Sequence, residues 1–540
     1  MVTGDGSDQG EVKSRRYGCN KNDFLPEESF KSWGNYGRAL RDTKSRLKNR
    51  LFTRSSDELE LHEMRARSQN EMKRTLNWFD IIWFGVGSVL GAGVFVLTGQ
   101  AAREHSGPAV IISYLISGGA SVARSWTSYF ATLCNHKPDD FRIHASFLAN
   151  GFNQLDPIAV LLSIAICIGA SLSIKGSSRF NSLITMVNIS VMIFILIAGL
   201  TKADTSNFQP FVPFGIDGVL RASAMLFFAY VGFDGVSTLG EEIKNPGIDI
   251  PIGLIGSMVI IITIYCLLGA TLCLMQPYTQ IDVDAPFTIA FKAVGMNWAK
   301  YVVAIGALKG MTTVLLANII GQARYFTHIA RTHMAPPFLA VINEKTKTPV
   351  NATVIMTIAN CIVALFTSLG ILANLLSIST LFIFSLVSFA LIVRRYYVSG
   401  ETTNSDRNKL IGFLTMIVMS SLGLALVWVF IKNVVGYIVF GTLWFIATLG
   451  LKLTVKEAKK PKLWGVPFMP WLPSASVAIN VFIMGSIDGP SFIRFSIWTA
   501  GLLVYYLFVG LHASYDAAKE TREKIDVEQV EAATKYQSYE

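Results

Sequence analysis

Two glycine-dense stretches carry the chemistry of this 540-residue chain. In the first, GVGSVLGAGVF, Gly85, Gly87, Gly91 and Gly93 sit in the middle of an apolar run that should otherwise be one unbroken helix. Glycine there lets the backbone unwind. An unwound stretch leaves a half-helix N-terminus whose free N–H groups and positive dipole end can hold a carboxylate. The same Gly87-xxx-Gly91 spacing equally suits close packing of one helix on another. The second stretch, FFAYVGFDGVSTLGEE, places Gly232, Gly235 and Gly240 around an acid, Asp234. Its freed carbonyls could accept hydrogen bonds from an ammonium group, with Phe227, Phe228, Tyr230 and Phe233 as aromatic walls. A pair of interrupted apolar segments is the sequence pointer to a transporter site.

Lys309, in AIGALKGMTTVLLANIIGQAR, falls near the centre of a third apolar run, where an unpaired ammonium is costly. Asp234 is its most plausible fixed partner. Such a pair would serve as a proton- or ion-coupling element, or as a purely structural bridge. Thr312 and Thr313 either contact ligand or bond back to their own helix. Asn188 either lines a cavity or makes an interhelical hydrogen bond, and Glu241 and Glu242 either form a gate or stabilise a helix end. The seven histidines fall in tails, loops or span ends, so no intramembrane relay or haem ligation is offered. No nucleophile with a base, metal motif or nucleotide loop is present, which argues against an enzyme, a metal site or a cofactor.

The elements that must position these residues follow from composition. Hydrophobic residues make up 51% and charged residues 16%, against about a quarter charged in a soluble domain. The chain is therefore an all-α, polytopic membrane protein. Its net charge of +10 is concentrated in short segments between apolar runs, which marks topology, not nucleic-acid binding. Six cysteines form no CxxC, and most lie in apolar stretches, so neither disulfides nor metal are expected. No apolar stretch precedes residue 79, so no secretory signal is expected. Residues 30–52 place Trp33, Tyr36, Leu40, Leu47 and Leu51 near one helical face, with Lys31, Arg38, Arg41, Lys44, Arg46 and Lys48 around them, either as a helix lying on anionic lipid or as a solvated basic tail.

A bilayer core of about 30 Å needs roughly 20 apolar residues in a helix. Thirteen such runs emerge, near 79–101, 108–133, 157–174, 181–201, 218–239, 251–275, 297–321, 351–369, 371–393, 410–431, 434–451, 472–487 and 494–512. From residue 175 onward, basic connections alternate with weakly charged or acidic ones. The basic set holds Lys175 and Arg179; Arg324, Arg331, Lys345 and Lys347; Arg394, Arg395, Arg407 and Lys409; and Lys452, Lys456, Lys459, Lys460 and Lys462. By the positive-inside rule these face the cytoplasm, and so does the basic N-terminus. Only three runs separate that N-terminus from Lys175, yet an odd number of crossings cannot return a chain to its starting side. Either the run 108–133 enters and leaves on one side, or a span is absent between Ala101 and Asp156. That run carries Gly118-Gly119 at its centre and Arg124 five residues on.

The segments GVGSVLGAGVFVLTG, VARSWTSYFATL, KGSSRFN, FFAYVGFDGVSTLGEEIKNPGIDIPIG, LKGMTTVLL, GQARYFTHIARTHMAPPF and WGVPFMPWLPSASVAIN resemble the cationic amino acid transporter family of the amino acid–polyamine–organocation superfamily. CNKNDFLPEESF resembles its plant branch. The resemblance runs from about Arg15 to Asp516 and implies a five-plus-five inverted repeat followed by further helices. It implies that Gly91, Ala92 and Gly93 face the substrate carboxylate. Phe227, Ala229 and Phe233 would face its amino group and side chain, and Met311 and Thr312 would tune side-chain selectivity. The family's pattern departs at Gly118-Gly119, where roughly 50 residues, one span and a loop, are missing. The lost part includes two glutamates that the family would use near the substrate.

These readings together imply a multi-pass plasma-membrane permease for arginine and lysine, working by alternating access and coupled to protons. Its partners would be an amino acid, the proton and the lipid bilayer, with no nucleic acid. Residues 1–78 would be a cytoplasmic tail, 79–512 the transporter domain and 513–540 a second cytoplasmic tail. Two alternatives stand beside this one: a non-transporting truncated form, misfolded or regulatory, and a permease for neutral amino acids or polyamines.

Overall fold

The computed structural model describes residues 25–52, 76–90, 95, 98–110, 122–134, 136, 138–145, 153–172, 177–230, 232, 243–343, 348–367, 369–398, 400–459 and 465–520. Within them the apolar runs become helices, as backbone groups in hydrocarbon must bond within their own segment. Two short amphipathic helices, α1 (Trp33–Arg41) and α2 (Thr43–Phe52), precede the membrane part. The first repeat contributes α3 (Trp78–Val89), α4 (Val122–Leu133), α5 (Pro157–Leu172), α6 (Ser177–Leu200) and α7 (Gly215–Leu226). The second contributes α8 (Pro246–Met275), α9 (Pro286–Ala293), α10 (Asn297–Arg331), α11 (Val350–Phe366) and α12 (Leu369–Tyr396). Four more follow: α13 (Asn404–Leu426), α14 (Val434–Thr454), α15 (Trp471–Gly485) and α16 (Gly489–Tyr505). Among the described residues, six helices are long and apolar enough to cross a membrane, and five shorter ones are apolar.

Pairing across the repeats builds the core. Helix α8 lies along α3, α10 along α4, and α11 along α5. Gly253 of α8 and Gly306 of α10 permit close approach, because a Cβ would meet Ile81 at 2.3 Å and Val191 at 2.4 Å, respectively. The buried surfaces form one apolar cluster running from Val86 and Leu90 through Met192, Tyr265, Leu272 and Phe291 to Met311 and Ile319. Lipid-facing positions keep their apolar side chains exposed, as with Ile255 and Val259 on α8 or Phe430 and Ile431 beyond α13.

Both flanks of the run 108–133 lie at the same end of the molecule. On one flank, Arg103 donates to the Ile281 carbonyl at 3.1 Å, and the Ala109 N–H to the Phe211 carbonyl at 3.1 Å. On the other, Arg142 donates to Ser128 Oγ at 2.9 Å and sits 3.7 Å from Asp284. Residues 201–215 and 276–296 form the sparsely basic end, so the chain makes no net crossing between Ala109 and Ser128. Hydropathy counted this run as a span because it sums apolar residues on both sides of Gly118-Gly119; within the described residues its helix is α4, Val122–Leu133. The two described ends of the chain lie together: Arg46 bridges Asp516 at 2.9 Å, and Tyr36 donates to the Phe508 carbonyl at 3.2 Å. The N-terminal helices are thus docked on protein through Ala39 and Arg46, while Trp33 stays 84% exposed.

Candidate functional site

Helix α3 stops at Leu90, whose N–H makes the last intrahelical bond, to Val86, at 2.8 Å. Beyond it the carbonyls of Val89, Leu90 and Phe95 have buried side-chain donors from three different helices. Tyr265 of α8 donates its hydroxyl to Val89 at 2.8 Å. Asn188 of α6 donates its amide to Leu90 at 2.8 Å, and Tyr129 of α4 donates to Phe95 at 2.6 Å. A buried backbone acceptor left without a donor costs about 1–3 kcal/mol, so the interruption requires such partners. The carbonyls of Val89, Leu90 and Phe95 are thus answered from within the protein.

The second interruption faces the first. Helix α7 tightens into a 3-10 turn at Phe227–Tyr230, and Gly232 follows at φ +119°, a conformation L side chains rarely adopt. A Cβ on Gly232 would lie 2.7 Å from the Ser88 carbonyl, so the two breaks pass one another backbone to backbone. Tyr265 also bridges them, since its hydroxyl lies 3.1 Å from the Ala229 carbonyl as well. Its ring is wholly buried and packs tilted against Tyr230 with centroids 5.4 Å apart. A third close approach holds Asn188 in place: a Cβ on Gly310 of α10 would meet the Asn188 amide at 2.7 Å.

Of the residues expected at the site, Gly91, Ala92, Gly93, Phe233 and Asp234 lie outside the described residues, and so does the Lys309–Asp234 pairing. Ala229 is buried, with its carbonyl at the junction of the breaks. Phe227 turns away from that junction, packing edge-on to Phe384 of α12 at 5.9 Å and against Ile378 and Ile483. Met311 is wholly buried in the central apolar cluster. Thr312 and Thr313 hydrogen-bond back to the carbonyls of Leu308 and Lys309 at 2.8 and 3.1 Å, the commoner behaviour of membrane threonines. Lys309 lies on the exposed side of α10, so its ammonium is not sealed in the core as its central position in the run implied.

Asn188 takes the interhelical option that its sequence position left open. Tyr265 and Tyr129 were not singled out from sequence. The signal for Tyr265 is its place as the lone aromatic in MVIIITIYCLLGATLCLM, where a hydroxyl must find an acceptor. At the opposite, basic end, a cavity of ≈ 760 Å³ lies between the N-terminal helices and the segment 515–520. Its lining mixes Arg38, Arg46 and Lys519 with Glu27, Asp42 and Asp516, so it presents no net preference for one charge.

An amino acid permease family matches residues 146–509. The chain is 53% identical to Cationic amino acid transporter 1 of Arabidopsis thaliana, with 96% of each chain covered. It is 48% identical to Cationic amino acid transporter 5 of the same plant, covering 93% of this chain and 97% of that one. With the vacuolar Cationic amino acid transporter 8 the identity is 44%, over 94% of this chain and 95% of the relative. These alignments run over 572, 552 and 559 positions, whereas this chain contributes 96%, 93% and 94% of its 540 residues; each therefore leaves about 50 positions without a counterpart here.

Proposed function

The chain belongs to the amino acid permease family, within the plant-type cationic amino acid transporters, and from that premise we propose that it is a secondary-active permease for arginine and lysine at the plasma membrane. Alternating access moves the substrate, and proton entry drives it. The basic end is cytoplasmic, with residues 1–78 and 513–540 as tails flanking a transporter domain at 79–512. The observation that carries this reading is the meeting of two interrupted helices, where the Val89, Leu90 and Ala229 carbonyls meet donors from other helices. On this reading the N–H groups of Gly91, Ala92 and Gly93 hold the α-carboxylate. Ala229 and Phe233 stand for the α-amino group, with Phe227, Met311 and Thr312 shaping the surroundings from behind. Asp234 and Lys309 are the coupling or ion-pair candidates.

The relatives' names support a cationic amino acid, while the vacuolar relative makes the membrane a matter for test. Labelled arginine uptake at two external pH values, in a transport-deficient host with surface abundance measured in parallel, decides the central points. Uptake that rises at acidic pH supports the proposal. Uptake of neutral amino acids or polyamines in place of arginine would redirect the substrate.

A second reading is favoured by one observation, the 50 or so positions that the relatives have and this chain lacks. The first repeat must rock against the rest of the bundle during transport, and a missing span removes part of it. The chain would then assemble with full-length subunits as a regulator, or fail to reach the surface. Normal surface abundance with no uptake of any amino acid is the result that selects this reading.

A further inference from the structure

Tyr265 is the side chain whose hydroxyl reaches both helix breaks. Its ring is fixed by full burial and by the tilted packing against Tyr230, so the oxygen has little freedom to choose its position. From that position it lies 2.8 Å from the Val89 carbonyl at the end of α3 and 3.1 Å from the Ala229 carbonyl in the turn after α7. Asn188 and Tyr129 act on the first break, at Leu90 and Phe95. A phenol has a single proton to donate. The bond is therefore shared, strengthening on one side as it weakens on the other, and neither carbonyl is abandoned when the breaks shift slightly relative to one another.

We infer that Tyr265 is a positioning residue of the transport site, keeping the two breaks in register so that both α-groups of an amino acid are captured at once. The inference rests on the permease reading above. An α-carbon separates its carboxylate and ammonium by a fixed short distance, so the backbone N–H groups of one break and the carbonyls of the other must be held at a matching separation. Packing brings Gly232 against the Ser88 backbone, where a Cβ would lie 2.7 Å from the carbonyl. Beside that contact the Tyr265 hydroxyl ties the two breaks together with a hydrogen bond to each side. The effect belongs in ground-state capture of the substrate, hence in KM, and Tyr265 need not touch the ligand.

The experiment uses the full chain in a transport-deficient host, with labelled arginine uptake normalised to surface abundance. Tyr265→Phe keeps the ring and its packing and removes the shared donor. The expected result is a KM raised about tenfold, consistent with loss of one buried hydrogen bond, and a Vmax per surface molecule changed by less than about twofold. Replacing Tyr265 by p-aminophenylalanine restores a donor with two hydrogens, one for each carbonyl, and should return KM to the wild-type value or below. An unmoved KM in Tyr265→Phe, whatever its abundance, would overturn the inference, and so would a raised KM that the amine does not restore. Should Tyr265→Phe fail to reach the surface, the amine variant carries the test alone: KM at or below wild type supports a donor role, and a raised KM defeats it. Wild-type protein that takes up no amino acid would defeat the permease reading together with this inference, whereas wild-type uptake with an unmoved variant KM defeats this inference alone.

Discussion

Buried polar side chains behave in opposite ways in the two parts of the bundle. Around the helix breaks they reach between helices to backbone carbonyls, as Tyr265, Asn188 and Tyr129 do. In the four C-terminal helices Ser420 and Ser421 turn back to Ile417, Thr448 to Trp444 and Thr454 to Gly450, while α14 and α15 share a polar contact through Thr448 with Ser474 and the Trp444 indole on the Ser474 carbonyl. The rest of that contact is apolar, through Ile392, Leu410, Leu414, Ile417, Ala447 and Leu451. The difference follows from the backbone. A continuous helix satisfies its own carbonyls and needs only shape from its neighbours, whereas an interrupted one needs donors from them. Several buried donors converging on the carbonyls of an interrupted helix therefore mark where this molecule is built to work.

Substitutions can break or sharpen this contrast. The largest effect is expected at the crossing of the breaks. Gly232→Leu forces a side chain to within 2.7 Å of the Ser88 carbonyl at a positive φ, and uptake should be abolished while the C-terminal helices stay folded. Gly93→Leu should likewise abolish uptake at unchanged surface abundance; normal uptake by that protein would remove the first interruption from the site. Next comes Asn188→Ala, which leaves the buried Leu90 carbonyl without its amide at a cost of about 1–3 kcal/mol. Arginine uptake should fall about tenfold or more by the same principle, and an unaffected KM would show that capping at the first break is dispensable.

Lys309 and Asp234 sharpen the comparison by asking whether the charge pair belongs to the working region. If they pair, Lys309→Met and Asp234→Asn should each reduce uptake more than the double substitution does; additive losses would separate them. The smallest effect on transport belongs to the C-terminal helices. Thr448→Val removes a 2.7 Å contact with Ser474 and a bond to the Trp444 carbonyl. Thermal stability of the purified protein should drop by about 1 kcal/mol with arginine KM unchanged, and a shifted KM would erase the division between the two regions.

Much of this division was readable along the chain. Glycine density located both interruptions, and the parity of the basic loops located the irregular segment, which the fold shows to begin and end at one end of the molecule. The paired glycines did not say whether they unwind a helix or pack one; the stop of α3 at Leu90 and the positive φ of Gly232 answer that for the described residues. Phe227 was expected at the site as an aromatic wall and by family resemblance, two positions before Ala229. In the structure the 3-10 turn rotates it toward Phe384 and Ile378, so adjacency in sequence did not become adjacency in space.

Hydropathy, charge alternation and glycine content are sums over near neighbours, and they determined the membrane class, the apolar runs and the places where helices yield. What they could not determine is which donor answers each freed carbonyl. Asn188 meets Leu90 across 98 residues of chain, and Tyr265 meets Val89 across 176. Those meetings are set by how α6 and α8 pack on α3, through contacts such as Gly253 on Ile81, and no local pattern encodes a distance between helices. The same holds for Lys309, whose position in the run implied burial but whose helix face, fixed by packing against α4 and α6, leaves it exposed. The sequence thus determined that the backbone breaks, and the tertiary structure decided what the break presents.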